Sequence, residues 1–257
     1  MSVREQYISF AAIFHKEIVR FIRIWIQTIV PPLITSSLYF LIFGTLIGRR
    51  LGDINGHSYM EFITPGLIMM SVITNSYMNV CSSFFSSKFQ RSVEELLVSP
   101  THITVIILAY CLSGMLRGLI CGALVFLVAL FFQPISIVHP FLFFAFSLLA
   151  ASLFSLAGFI NALLAKTFDD ISIVPTFILT PLTYLGGIFY SIYQLPEFWQ
   201  KISQLNPFLY IINGFRYGML GVSDISVVFS FSLLVVLTVV MFTVCHLLFK
   251  SGVGIKS

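Results

Sequence analysis

The sequence predicts an all-α integral membrane protein with six transmembrane helices. Composition is the first observation behind that. Of 257 residues, 58% are apolar and 9% charged, against about 25% charged in an ordinary soluble domain. Fourteen basic and ten acidic residues are too few to coat a water-soluble globule of this length. The second observation is where the charges stand. None lies between Arg23 and Arg49, Glu61 and Lys88, Arg117 and Lys166, Asp170 and Glu197, or Asp224 and Lys250. Roughly 20 apolar residues cross a bilayer core. Each gap therefore has room for a span, and the Arg117–Lys166 gap, broken at Gln133-Pro134 and His139-Pro140, has room for more than one. Lipid offers backbone groups no partner, so the spans are helical. These observations exclude a soluble enzyme, a secreted disulfide scaffold and a nucleic-acid binder. The net charge of +4 is small and scattered.

The elements follow in chain order. Residues 1–23 form an amphipathic helix, with Phe10, Phe14, Ile18, Phe21 and Trp25 recurring at spacings of three or four. Lys16, Arg20 and Arg23 share another face. Such a helix lies in the membrane interface with its basic residues toward anionic headgroups. It is an anchor or, alternatively, also a lever on the first span. That span, 24–47, contains Pro31-Pro32, and the second, 61–83, contains Pro65. The loop 84–102 reads FFSSKFQRSVEELLVSPTH. Ser92 and Glu95 have the spacing of a capping box. Phe89, Val93, Leu96 and Leu97 share a face, and Pro100 ends the turn. A short amphipathic helix held between two spans either docks on a soluble partner or lies on the bilayer surface.

The third span, 103–132, carries Gly114, Gly118 and Gly122. Small residues four apart let helix backbones approach closely. The fourth, 140–165, has Ala151, Ser155, Gly158 and Ala162 at helical spacing. The two faces pack on each other within one chain or across a dimer. In KTFDD, 166–170, the acids cap the fifth span or meet a partner. The fifth span, 171–190, holds Pro175, Pro181 and Gly186-Gly187. Proline removes a backbone donor and kinks a helix, so Pro175 and Pro181 are candidate gating kinks. The segment 191–223 carries two short apolar stripes broken at Asn206-Pro207. These read as half-inserted outer helices with Trp199, Tyr210 and Tyr217 at headgroup level. The last span is 225–249.

Counting Lys and Arg in the tails and loops gives nine on the side of the termini and four on the other, which puts both termini in the cytoplasm. Arg117 is the only charge deep within a span. Such charges are usually paired or face a cavity, with Glu61, Asn75 or Asn161 as candidate partners. Alternatively Arg117 faces an anionic headgroup of the substrate. Cys81, Cys111, Cys121 and Cys245 show no ligand spacing and read as packing residues. No GxxxxGK[ST] occurs, so the chain does not itself hold ATP in a P-loop. No metal, catalytic or cofactor-binding motif is present. An intramembrane lipid enzyme would need Ser113 with a histidine, and His102 stands near the wrong end of that span. An assembly factor that docks an ATPase without transporting is the remaining alternative to an exporter.

FQRSVEELLVSP at 89–100 and LPEFWQKISQLNPFLYIINGFR at 195–216 resemble the ABC-2-type permease family, the membrane subunits of ATP-binding-cassette exporters. So do HKEIVRFIRIWIQTIVPPLI at 15–34, FITPGLIMMSVITNSY at 62–77 and KTFDDISIVPTFILTPLTYLGGIFYS at 166–191. The resemblance covers nearly the whole chain as one permease domain, 1–257, and is close to bacterial inner-membrane members. It implies a type V exporter-like fold with an elbow helix, a coupling helix at 84–102 and outer re-entrant helices at 191–223. It implies a permease dimer with two copies of a separate ATPase that hold ATP and magnesium. It puts Arg91, Glu94, Glu95, Leu96 and Leu97, beside Phe89, where that ATPase docks. The second and fifth spans then line the path, with Asn75, Tyr77, Thr180 and Tyr184 as polar candidates. Nothing in the sequence selects among hydrophobic, lipid-linked and polysaccharide-type substrates.

Overall fold

The apolar stretches fold as helices. The computed structural model describes residues 2–48, 52–54 and 56–254, and of Leu97 the backbone only. Arg49, Arg50 and Lys256, which entered the charge count, lie outside the described residues. The helices are α1 (Val3–Arg23), α2 (Trp25–Ile47), α3 (Tyr59–Phe89), α4 (Ser92–Val98) and α5 (Ile103–Phe132). They continue as α6 (Pro140–Leu164), α7 (Asp170–Leu185), α8 (Glu197–Gln204), α9 (Pro207–Leu220) and α10 (Val227–Ser251). Among the described residues there is no β-strand.

Four helices, α2, α5, α6 and α10, are long and apolar enough to cross a membrane. The other two expected spans differ in instructive ways. α3 has 31 residues but is studded with Ser71, Asn75, Ser76, Asn79, Ser83 and Ser87, all buried. It is the central helix, packed on α5 and α6, so its polar groups meet protein rather than lipid. α7 is apolar but short, and it changes to π-helical geometry over Pro175–Leu179. A proline at 175 cannot donate to the carbonyl of Ile171. Asn161 of α6 donates its Nδ2 to that oxygen at 3.4 Å. Proline gaps in membrane helices persist where a neighbouring helix supplies the missing partner in this way.

The small-residue faces of α5 and α6 do not simply pack on each other; both close on α3. A Cβ at Gly118 would stand 2.7 Å from the carbonyl oxygen of Val72, and one at Gly158 would collide with the backbone of Tyr77. Glycine at these positions is what lets the backbones meet. Gly114 adds the α5–α6 contact, with Ser155 2.8 Å from its would-be Cβ.

α1 also departs from the expected interfacial helix. Its N-terminus is a capping box of Ser2 and Glu5, with Glu5 Oε2 accepting from the Ser2 N–H at 2.8 Å. It packs along α5. The buried face is Ile13, Glu17 and Phe21, so a carboxylate sits in the packed stripe. Arg20 leaves the expected headgroup-facing set and turns inward to α3. α9 differs too: instead of a surface stripe it is buried among α3, α6 and α10.

Candidate functional site

One end of the bundle gathers the start of α1, Gly254, α4 and the 165–170 turn. Gln6 donates to the Pro100 carbonyl at 3.1 Å and accepts from the His102 N–H at 3.0 Å. Thr101 Oγ1 donates to Ser9 Oγ at 3.2 Å. The end of α3 that leads into α4 is clamped by Lys88, whose ammonium donates to the carbonyls of Leu163 at 2.8 Å and Ala165 at 2.6 Å. These are carbonyls at the end of α6, where cations are favoured. Gly254 lies against Leu163 and Lys88 as well.

The turn into α4 is made by Arg91, at φ 59°, the only non-glycine residue in the left-handed region among those described. The expected capping box does not form: Ser92 Oγ donates to the Ser87 carbonyl at 3.1 Å, and Arg91 occupies the cap position without a side-chain bond. Val93 is buried and Leu96 half-buried, while Arg91, Glu94 and Glu95 are exposed. Leu97 is in the helix, its side chain outside the described residues. Phe89 is the last residue of α3 rather than part of α4. Its ring stands 5.0 Å from that of Phe168, which also meets Phe85 at 4.9 Å. Phe89, Val98, Phe168 and Leu164 are exposed apolar side chains at this end, as the acidic pair is exposed. Asp170 orders the neighbouring turn. Its carboxylate accepts from the backbone N–H groups of Lys166 and Thr167 at 2.8 and 2.9 Å. Those bonds hold its pKa below the ordinary aspartate value.

A second constellation lies where α1, α3 and α5 meet. Arg20 pairs with Glu17 at 3.2 Å and donates to Asn79 Oδ1 at 2.8 Å. Ser83 donates to Glu17. Arg117 Nη1 donates to the same Asn79 oxygen at 3.3 Å, and its guanidinium stands 6.0 Å from the Phe21 ring centre. Its Nε has no hydrogen-bond partner among the described residues. The candidate partners named from sequence are engaged elsewhere. Glu61 meets His57 at 3.1 Å, Asn75 donates to the Ser71 carbonyl at 2.9 Å, and Asn161 serves Cys81 and Ile171. Asn79, on the face of α3 turned to α5, is the partner instead.

Arg117 also borders a cavity of about 310 Å³ between α2 and α3. Asn75, Thr74 and Ser71 form one wall, and Thr35, Gln27 and Tyr39 stand on the other. Of the four expected path residues, Asn75 lines this cavity. Tyr184 reaches its rim by sharing a 2.9 Å hydroxyl–hydroxyl hydrogen bond with Tyr39. Thr180 is exposed on α7 and donates to the Pro175 carbonyl at 2.9 Å. Tyr77 is buried against Gly158 and does not border the cavity.

At the opposite end, Arg216 of α9 is a buried charge counted from sequence only as part of a loop. Its Nη2 donates to the Gly187 carbonyl at 2.6 Å, Nε to the Phe62 carbonyl at 3.4 Å and Nη1 toward Asn213 Oδ1 at 3.5 Å. The guanidinium lies 3.8 Å from the centre of the Phe62 ring. A charge inside the apolar run PFLYIINGFRYGML is the signal that would have found it, because such a charge needs partners.

Three similarities bear on these sites. The family model described as "ABC-2 type transporter" matches residues 8–220. The chain is 58% identical over 252 residues to a protein of Escherichia coli strain K12 named "Inner membrane transport permease YadH", covering 98% of each chain. It is also similar to "Nodulation protein J" of Sinorhizobium fredii strain NGR234, with 28% identity covering 72% of this chain and 70% of that one.

Proposed function

The chain belongs to the ABC-2 type transporter family, and from that premise we propose that it is the permease subunit of an exporter driven by a separate ATPase. Two copies form the membrane channel, and two ATPase subunits, which hold the ATP and magnesium, dock on them. The substrate is hydrophobic, lipid-linked or polysaccharide-type. The observation that carries this reading is the α4 end. Exposed Glu94 and Glu95 share this end of the bundle with exposed Phe89, Val98 and Phe168. Exposed charged and apolar groups at one end suit a soluble partner's surface, with half-buried Leu96 behind them. Behind it, the segment that follows α4 is tied to α1 through Gln6, and the end of α3 that precedes it is tied to α6 through Lys88. A displacement of α4 therefore pulls on helices at both sides of the bundle.

In this reading the α4 end is cytoplasmic. Lys88, Arg91, Lys166 and Lys250 cluster in its segments, in keeping with the positive-inside rule. All six apolar stretches cross the membrane. α3 does so inside a sheath of neighbours, and α7 across a bend. α3 and α7 line the route between two copies, with Asn75, Thr180 and Tyr184 facing it and Tyr77 behind it. Pro175 and Pro181 mark where α7 flexes. ATP binding favours one of two arrangements of these helices, and it can do so only through contacts that differ between them.

The test is purification of the tagged chain from its native membrane in mild detergent, with mass spectrometry of what accompanies it. A stoichiometric P-loop ATPase, lost when Leu96 and Leu97 become Ala, is expected. A stable permease with no such partner, under conditions that preserve comparable complexes, contradicts the reading.

A further inference from the structure

We infer that the cavity between α2 and α3 binds the phosphate group of an amphiphile, with Arg117 as the side chain that holds the anion. Three observations lead there. First, the charges at the α1–α3–α5 junction do not balance. Arg20 and Arg117 share one carboxylate, Glu17, and that carboxylate sits on Arg20. Among the described residues no carboxylate lies within ion-pair distance of Arg117, which is 8% exposed. An uncompensated buried charge is costly, and in a membrane helix it usually faces a ligand path.

Second, the guanidinium has donors to spare. Of its five N–H groups one meets the Asn79 oxygen, which Arg20 also uses, and the Cys121 thiol is its other polar neighbour. Nε has no partner among the described residues. Third, the cavity that Arg117 borders is built for an amphiphile's polar end. Thr74, Thr35 and Gln27 line it with exposed side chains. Pro31, Leu67, Met70 and Met78 line it as well. An arginine fork with hydroxyl and amide groups beside it matches phosphate oxygens, and these apolar side chains match the start of a chain.

The inference deepens the export reading and rests on it for what the ligand is doing there, but binding itself can be measured without transport. The full chain in detergent micelles is probed with short-chain phosphatidic acid, with the diacylglycerol of the same chains, and with inorganic phosphate. Native mass spectrometry reads retention. Wild-type protein is expected to retain phosphatidic acid at least about tenfold over diacylglycerol, the scale of one charge-assisted hydrogen bond. Arg117→Gln should abolish that preference. Thr74→Phe, a change at an exposed cavity-lining position, should do the same by filling the cavity with the guanidinium intact. Displacement of the lipid by inorganic phosphate assigns the site to phosphate from either source, and failure to displace it assigns it to the headgroup; both uphold the phosphate chemistry. Equal retention of the two lipids, or retention unchanged in both variants, overturns the inference. If retention fails while an ATPase still co-purifies, the site falls and the export reading stands. If retention holds and no ATPase is found, the reverse is true.

Discussion

Arg117 and Arg216 are both buried guanidiniums in apolar helices, yet they are held in opposite ways. Arg216 is enclosed at the end of the bundle away from α4. Two backbone carbonyls, an amide oxygen and an aromatic face take up its donors and its charge. It ties α9 to the start of α3 and to the turn after α7. Arg117 shares its one oxygen acceptor with another arginine and opens toward a cavity. A buried charge that is fully met serves the fold. One that is left short marks a place where something else completes the set.

The sharpest way to break this contrast is to remove each arginine and compare stability. Arg216→Met should cost about 3 kcal/mol or more, because the carbonyls of Gly187 and Phe62 lose their donors in a place without water. Thermal unfolding of the detergent-purified chain, followed by its monodispersity, would read this. Arg117→Gln should cost less than about 1 kcal/mol, since it deletes a charge that is already under-compensated. A comparable loss at both positions would end the comparison.

A second contrast separates close backbone approach from side-chain bonding. Gly118→Ala pushes a methyl group toward the Val72 carbonyl and should destabilise by about 1–3 kcal/mol, the range for overpacking. Asn161→Leu leaves the Ile171 carbonyl without its donor and should cost about 1 kcal/mol. Pro175→Ala gives the backbone a donor at that position and should cancel most of the Asn161 effect in a double-mutant cycle. Additive losses would show that Asn161 is not there for the proline gap.

The smallest effect is at Asp170, which is exposed. Its pKa lies below the ordinary value because backbone N–H groups bond its charged form. That contribution is complete above the unfolded aspartate pKa of about 3.9 and is lost as pH falls through the lower folded value. Asp170→Asn should flatten the acid side of the stability profile below about pH 4 and leave neutral pH nearly unchanged. An unaltered acid limb would remove Asp170 from the account.

The comparison also explains what was legible from sequence. Charge-free stretches gave the four candidate spans to within a few residues, because an apolar run of spanning length is plain in composition. The break in regular α geometry that begins at Pro175 was readable from the proline itself. The polar junction was not, because it depends on which helices α3 touches. Asn79 looks like any polar residue of a membrane helix until α1 and α5 close on it. Glu17 could have been noticed: it falls midway between Ile13 and Phe21 at four-residue spacing, inside the buried stripe. Ser92 followed by Glu95 matched a cap, but the left-handed turn at Arg91 starts the helix one residue too early for Ser92 to cap it.

The central claim is that the α4 end receives a separate ATPase. Cysteine crosslinking tests it directly, because Cys81, Cys111, Cys121 and Cys245 are all buried and a single new surface thiol stands out against them. Glu94→Cys and Val98→Cys at the α4 end would be compared with Lys201→Cys on α8 in native inner-membrane vesicles. The account predicts ATP-sensitive crosslinks from positions 94 and 98 to a P-loop ATPase and none from 201. Crosslinks from 201 and none from 94 or 98, with the permease folded, would contradict it.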